Sequence, residues 1–348
     1  MPDRDTFYMK RCLRLAEVGR PTVSPNPMVG AVIVARGRII GEGMHLQAGG
    51  PHAEVNALAS VKGSDRPLLA EATLYVNLEP CHHQGKTPPC TLAIREAGIK
   101  RVVIAGRDPN PLVSGKGVGF LREIGVEVTE GILHNSAEQL NAAFLTYHRK
   151  KRPYIILKWA ESDDFIMGHR ERRVKISNSK SDTLVHLWRS EVDAILIGTN
   201  TAIIDNPSLT VRHIEAPSPH RILLDKSGRV PKEYQLFVDE EPLTIITEDA
   251  SRFGALASEK EAIALTFEPS VIPPLLHWAY EEEIQSILIE GGRKTLQSFI
   301  NSNYWDEARI IHAVDVRLGK GLRVPKLKGR KVKELLLNRN RITFVKPL

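Results

Sequence analysis

Residues 79–90 read EPCHHQGKTPPC, placing Cys81 and Cys90 on either side of a loop with two histidines, a lysine and a tandem proline. Paired zinc cysteines usually stand two to four residues apart, so the spacing is wide for a metal site. A phosphate-binding P-loop is excluded. Its first glycine would fall five residues before Gly85, where the chain has Pro80. A disulfide framework is also a poor fit. The chain has three cysteines, Cys12, Cys81 and Cys90, and its start has no apolar leader run, which leads to the expectation of a reducing cytoplasm.

Working outward, residues 51–58 read PHAEVNAL, and the strand pattern ATLYVNL (72–78) ends just before Pro80 and Cys81. His52 and Glu54 thus stand at a predicted helix start and Cys81 just past a strand. Two thiolates and an imidazole can hold zinc and leave a fourth position for water, whose pKa the metal lowers. A carboxylate nearby but not ligating can move the proton from water to a leaving amine. H-x-E followed by P-C and a second cysteine is the arrangement of zinc nucleobase deaminases. Each residue alone reads as an ordinary helix-start histidine or a buried thiol, but the ordered set reads as an open zinc site. His82 and His83 stay open as a fourth ligand.

The rest of the first half alternates strand and helix patterns. Residues 5–19 have a helical period, MVGAVIVA and RIIGEG read as paired strands, and TLAIREAG, RVVIAG, GVGFLREIG and VEVTEG continue the alternation. SAEQLNAAFLTYHR (136–149) reads as one helix, and the basic, proline-ended KKRP that follows marks a boundary near 150. The expected domains are 1–149 and 150–348. The second half restarts with YIILKWA and runs through the helix SKSDTLVHLWRSE and the apolar strands AILIG, RILLD, LTIIT, IALTF and SILIE. A helix from about Arg293 and a final strand around ARIIHAV close it. This is a second α/β domain with buried strands. SILIEGG, a strand ending in paired glycines before a helix, reads equally well as a phosphate cradle or a plain turn.

The 348 residues are 42% hydrophobic and 26% charged, ordinary for a globular chain, with a formal charge of +7. That balance favours anionic ligands. No basic block and no aromatic–basic interleaving points to nucleic acid, and no apolar run is long enough to span a bilayer. A small-molecule substrate, no nucleic-acid or membrane partner, and self-association into a dimer or tetramer are expected.

PNPMVGAVIV (25–34), PHAEVNAL and LEPCHHQGKTPPC together resemble the N-terminal domain of the bifunctional riboflavin-biosynthesis deaminase/reductase family. The resemblance implies a cytidine-deaminase-like three-layer α/β/α domain. Zinc would bind His52, Cys81 and Cys90, and Glu54 would be the proton shuttle. Asn26, His45, His83 and Lys86 would contact the pyrimidine or its ribose phosphate. The implied substrate is 2,5-diamino-6-(5-phosphoribosylamino)pyrimidin-4-one, which loses its 2-amino group to water.

YIILKWAES (154–162), LVHLWRSEVDAILIGTNTAIIDNPSLTVR (184–212) and SILIEGGRKTLQSFI (286–300) resemble the reductase domain of the same family, with a dihydrofolate-reductase-like α/β fold and NADPH as hydride donor. By that resemblance Arg189, Leu209, Arg212 and Glu290 contact substrate. Gly292, Arg293, Lys294 and Thr295 contact the cofactor, with Lys158 and Thr201 on its nicotinamide side. Asp205 stands at the site as a candidate for proton delivery beside the cofactor. The chain departs from the family twice. The pattern A-S-x-D-G appears as ESDDF (161–165), and W-I-T appears as KIS, with Lys175 for tryptophan, adding positive charge where cofactor phosphates would sit. Two rival readings are a tRNA or nucleobase deaminase with a nucleic-acid-binding second domain, and a zinc-stabilised NADP-binding protein without activity.

Overall fold

The computed structural model describes residues 4–20, 22–85, 88–110, 114–254, 256 and 259–348. The chain forms two compact units, Met1–Lys151 and Arg152–Leu348.

The first unit is built on strands β1 (Gly30–Ala35), β2 (Arg38–Met44), β3 (Thr73–Val76), β4 (Arg101–Ile104) and β5 (Glu127–Glu130), ordered β2-β1-β3-β4-β5. The β1–β2 hairpin and the β1–β3 pair are antiparallel, while β3, β4 and β5 run parallel. Every residue of β1 is buried because helices cover both faces of the sheet. Helix α1 (Arg4–Glu17) sends Tyr8, Met9, Cys12 and Leu15 onto Val32, Val34, Tyr75 and Val103. On the other face α2 (Ala53–Ala59), α3 (Cys90–Glu96) and α4 (Lys116–Glu123) pack on Ile33, Leu74, Val76 and Val102. This is the expected three-layer arrangement. The glycines of RIIGEG place the site's helix: a Cβ on Gly43 would lie 2.2 Å from Ala57 N, so α2 rests directly on β2.

The helix expected over 136–149 is broken in two, α5 (His134–Leu140) and α6 (Ala142–Lys150). The break is at Asn141, whose buried amide accepts from Met28 N (2.8 Å) and donates to Met28 O (2.9 Å). That side chain is fixed by a tertiary contact and leaves the helical path.

The second unit carries β6 (Tyr154–Ser162), β7 (Ile166–Gly168), β8 (Ala194–Gly198), β9 (His220–Leu224), β10 (Leu243–Thr247), β11 (Lys260–Ala264), β12 (Ser286–Ile289), β13 (Glu307–Ala313), β14 (Leu322–Arg323), β15 (Arg330–Leu337) and β16 (Asn340–Lys346). Its large sheet has the order β11-β10-β9-β8-β12-β6-β13-β16-β15, and β7 pairs with β14 apart from it. Strands from β11 to β13 are parallel, and β16 and β15 extend the edge antiparallel. Alternate residues feed two cores. Ile155, Leu157 and Trp159 face α10 (Ile272–Glu281) and α11 (Arg293–Asn301), whereas Ile195, Ile197, Leu223 and Ile245 pack with Ala202 of α8 (Thr199–Asp205). Helix α7 (Ser179–Ser190) also belongs to this unit.

Two expectations move. IALTF was read as a strand, but β11 begins three residues earlier at Lys260, whose register with Leu243 is set by parallel pairing. ARIIHAV is not the last strand. The β15–β16 hairpin follows, turning on Asn338 and Arg339 at φ +44° and +66°. A two-residue turn with both φ positive normally announces itself by glycine, and here none is present. Among the described residues, no helix is long and apolar enough to cross a membrane.

ESDDF spans the end of β6 and the turn that leads into β7. Phe165 occupies the left-handed region at φ +59°, donating its N–H to Ser162 O (2.9 Å) and accepting from Val324 N (3.2 Å). Phenylalanine thus holds a conformation that favours glycine and carries its cost. Phe165→Gly is expected to be more stable than Phe165→Ala by about 1 kcal/mol, reversing the usual order, because only glycine adopts this φ freely. Urea unfolding followed by tryptophan fluorescence checks this, since all four tryptophans (Trp159, Trp188, Trp278, Trp305) lie in the second unit.

Candidate active sites

In the first unit, the residue preceding α2 is His52, which makes no side-chain cap bond to its own helix. Its ring is turned instead toward the loop after β3 and the first residue of α3. His52 Nδ1 lies 3.5 Å from Cys81 Sγ and 3.3 Å from Cys90 Sγ. Among the described residues, His52, Cys81 and Cys90 form the one group of histidine, cysteine or acidic side chains close enough to share a metal ion. Zn–S bonds of ~2.3 Å and Zn–N bonds of ~2.0 Å at tetrahedral angles give an N–S edge of about 3.5 Å, so the donor set fits zinc.

The Cys81 thiol is drawn down to about 4 by the hydrogen bond from Cys90, against burial and with help from His52, while that thiolate and burial push Cys90 up. The Cys81 contact also raises His52. Glu54 sits in the first turn of α2 and is buried; burial, reinforced by the Cys81 charge, pushes its carboxyl up to about 7. A carboxyl there exchanges its proton readily near neutrality.

The loop carrying Cys81 is fastened by residues that the sequence reading passed over. Glu79, buried, accepts backbone N–H groups from Asp108 (3.3 Å), Gly115 (3.0 Å) and Val118 (3.1 Å), so one carboxylate caps α4 and holds the cysteine loop against it. A Cβ on Gly117 would lie 2.0 Å from Pro80 O, which makes that approach possible only for glycine. Asp108 is buried too, and burial with the Glu79 and Cys81 charges pushes it up to about 6. Asn77, buried beside Asn141, accepts from Gly30 N (2.8 Å) and donates to Met28 O (3.0 Å), fixing the segment that bears Asn26.

Asn26 and His45 come together: Asn26 Nδ2 lies 3.0 Å from His45 Nε2, and His45 Nδ1 lies 3.0 Å from Pro51 O. An amide donor on Nε2 and a carbonyl on Nδ1 specify the neutral imidazole with its proton on Nδ1. Burial lowers the His45 pKa accordingly. The His45 ring is 5.5 Å from that of His52, edge to face. His82 is engaged away from the sulfurs, with Nδ1 2.8 Å from Thr91 Oγ1 and its ring stacked 4.1 Å from Phe120. Neither His82 nor the exposed His83 joins the ligand group. Lys86 lies outside the described residues.

The second unit places its candidates past the ends of β8 and β12 and midway along β6. Glu290, just past β12, is gripped by Arg189 at 2.9 and 3.0 Å through both carboxylate oxygens and approached by Lys158 Nζ at 3.5 Å. Burial alone would push Glu290 up; Arg189 and Lys158 outweigh it and hold the carboxyl at about 2. The arginine fork read as suited to phosphate is engaged by Glu290, and its Nη1 donates to Thr210 O (3.2 Å). Arg212 bonds two hydroxyls, Ser208 and Thr210 (3.0 Å to the latter), and no carboxylate among the described residues. Leu209, buried at φ +59°, lies between them in sequence. Asp205 ends α8; burial raises its carboxyl, opposed by Arg173 and Lys158. Arg173 was not singled out in the sequence.

The paired glycines bring α8 and α11 together. A Cβ on Gly291 would lie 2.7 Å from Gly198 N, and one on Gly198 would lie 2.5 Å from Thr295 Oγ1. Thr201 Oγ1 accepts from Gly292 N at 2.6 Å, so that N–H, read as a possible phosphate donor, is already engaged. Arg293 and Lys294 stand exposed in the first turn of α11. Lys175 does not join this cluster: it is exposed and paired with Asp182 at 2.8 Å.

Two family models match the chain, one in each unit. Residues 2–106 match the family model described as the cytidine and deoxycytidylate deaminase zinc-binding region, and residues 153–343 match the RibD C-terminal domain. The riboflavin biosynthesis protein RibD of Aquifex aeolicus is 42% identical over 335 residues, covering 95% of this chain and 93% of that one. A solved structure from Thermotoga maritima, a diaminohydroxyphosphoribosylaminopyrimidine deaminase/5-amino-6-(5-phosphoribosylamino)uracil reductase, is similar at 37% identity and TM-score 0.90, with 99% of each chain covered. The RibD structure from Acinetobacter baumannii matches at 31% identity and TM-score 0.89, also over 99% of each chain.

Proposed function

The chain belongs to the RibD family, bifunctional deaminases and reductases of riboflavin biosynthesis, and from that premise we propose how its residues divide the two reactions. The observation that carries the reading is the convergence of His52 Nδ1, Cys81 Sγ and Cys90 Sγ beside the buried carboxyl of Glu54.

His52, Cys81 and Cys90 hold zinc. Zinc in such a three-ligand site supplies Lewis acidity that makes water a nucleophile near neutral pH. Glu54 takes the proton from the attacking water and gives it to the departing amine, a task suited to a carboxyl held near 7. The substrate is 2,5-diamino-6-(5-phosphoribosylamino)pyrimidin-4-one, whose 2-amino group leaves as ammonia. The Asn26–His45 pair, locked in one tautomer, presents fixed polar groups to the pyrimidine. His83 and Lys86 serve its ribose phosphate, and Asp108 is a further polar group beside the Cys81 loop.

In the second unit bound NADPH would supply the hydride for the ribosyl carbon of the deaminated product in its open form. Gly292, Arg293, Lys294 and Thr295 hold the cofactor at the start of α11, with Thr201 and Lys158 alongside. Asp205, its carboxyl raised by burial, delivers the proton that accompanies hydride addition. Glu290 orients substrate hydroxyls while fixing Arg189, and Arg212, with hydroxyl partners and no carboxylate among the described residues, serves the substrate phosphate, with Arg173 nearby.

Purified protein given the diaminopyrimidinone phosphate should release ammonia and then consume NADPH; cytidine or tRNA deamination in its place would overturn the substrate assignment. Stripping metal with dipicolinate is expected to abolish ammonia release while NADPH consumption on supplied deaminated product persists. One thiol, the half-buried Cys81, should become reactive to a disulfide reagent on stripping, with the buried Cys12 and Cys90 silent until the unit unfolds. Unchanged ammonia release from verified metal-free protein would exclude the zinc assignment.

A further inference from the structure

We infer that His186 is a positioning residue of the reductase, acting through Arg212: as a neutral imidazole inside α7 it accepts the Arg212 backbone N–H and so places that guanidinium for the substrate phosphate. The inference rests on the reading of Arg212 given above.

Residues 208–212 belong to no helix or strand, so their N–H and C=O groups need other partners. Side chains supply them. Arg221 donates to Ser208 O (3.1 Å), Arg189 donates to Thr210 O (3.2 Å), and Ser218 Oγ accepts from Val211 N (3.0 Å). Arg212 N donates to His186 Nδ1 at 3.0 Å. His186 is three residues before Arg189 on α7, so one helix face presents both the acceptor for Arg212 and the fork on Glu290. The His186 ring is 5% exposed and stacked on His213, centroids 4.2 Å apart and planes at 14°.

An imidazole that accepts at Nδ1 keeps a lone pair there, so its proton is on Nε2 and the ring is neutral. The neighbours enforce this state. Burial first, then the positive charges of Arg189 and Arg212, hold His186 down at about 4, with Glu290 the opposing charge. Among the four clamps on the loop, this one is at the residue whose side chain has only hydroxyl partners. Loss of the acceptor leaves a polar N–H unpaired and frees the Arg212 backbone to swing.

Steady-state reductase kinetics on the full chain test the inference. His186→Phe keeps a ring over His213 and removes the acceptor; His186→Gln restores an acceptor without a ring. The phenylalanine variant should raise KM for the phosphorylated uracil substrate about ten-fold, with kcat and the KM for NADPH within about two-fold. The glutamine variant should stay within about three-fold of the parent in all three. In an Arg212→Ala background, His186→Phe should add nothing further. Ammonia release and the tryptophan-monitored unfolding midpoint report folding of the two units, and His186→Leu replaces the phenylalanine variant if that one unfolds. Parallel loss of kcat and both KM values, or an unchanged substrate KM with Arg212→Ala impaired, overturns the role of His186. An unchanged substrate KM in Arg212→Ala overturns the Arg212 reading and this inference with it.

Discussion

Glu54→Gln should reduce ammonia release at least ~10³-fold while the protein keeps its zinc and its reductase activity. The amide matches the carboxylate in size but can neither take a proton from water nor return one to the amine. General acid–base catalysis contributes ~10²–10⁴-fold, and Glu54 is assigned both transfers, so the upper part of that range applies. Glu54 is not one of the three grouped metal-donor side chains, so metal retention separates its loss from loss of the site. The folding cost should be small or favourable. A carboxyl pushed up to about 7 by burial is one whose charge the folded state disfavours, and the neutral amide removes that burden. Metal content by atomic absorption and ammonia release on the same preparation decide the matter. Near-normal turnover with a full complement of zinc would remove Glu54 from the mechanism.

How much of this was readable beforehand depends on where each residue's partner lies in the chain. His52, Cys81 and Cys90 were legible because each stands where a helix begins or just past a strand, and the thiolate–imidazole set has a narrow chemical meaning. The alternating patterns likewise carried the two α/β units, since strands such as AILIG, buried throughout, are apolar from end to end. Residues whose task is to hold backbone were not legible. Glu79 reads as any acidic residue until Asp108, Gly115 and Val118 are seen to point their N–H groups at it. Asn141 reads as a helical residue until Met28, distant in sequence, takes both ends of its amide. Phe165 shows another limit: the motif departure was visible, but only the backbone angle shows that a disfavoured residue occupies the left-handed region there. Arg189 shows a further limit. Its geometry suited a phosphate, and nothing in the sequence announced that Glu290 would take the fork.

The expected effect of Glu290→Gln is a loss of about 3–5 kcal/mol from the second unit, with the reductase reaction lost beside it. The substitution leaves Arg189 and Lys158, both largely buried, facing a neutral amide. Each cation was taken out of water on folding, and the carboxylate between them offset that cost. The linkage argument gives a similar size from the other direction. Glu290 is held at about 2 against an ordinary value of 4.5, a depression equivalent to about 3 kcal/mol. Because the folded-state value is the lower one, this stabilisation is fully present above about pH 4.5 and is lost as pH falls toward about 2. The parent should therefore lose stability across that interval, and Glu290→Gln should lack that component of the loss. Removing Arg189 as well, in Glu290→Gln/Arg189→Gln, should recover part of the stability, since one of the two stranded charges is gone. Urea unfolding followed by tryptophan fluorescence reads the second unit alone, as Trp159, Trp188, Trp278 and Trp305 all lie within it. An unchanged midpoint in Glu290→Gln at neutral pH would mean that water reaches the two cations freely, and the buried Arg189–Glu290–Lys158 cluster would not be the support of the reductase site argued above.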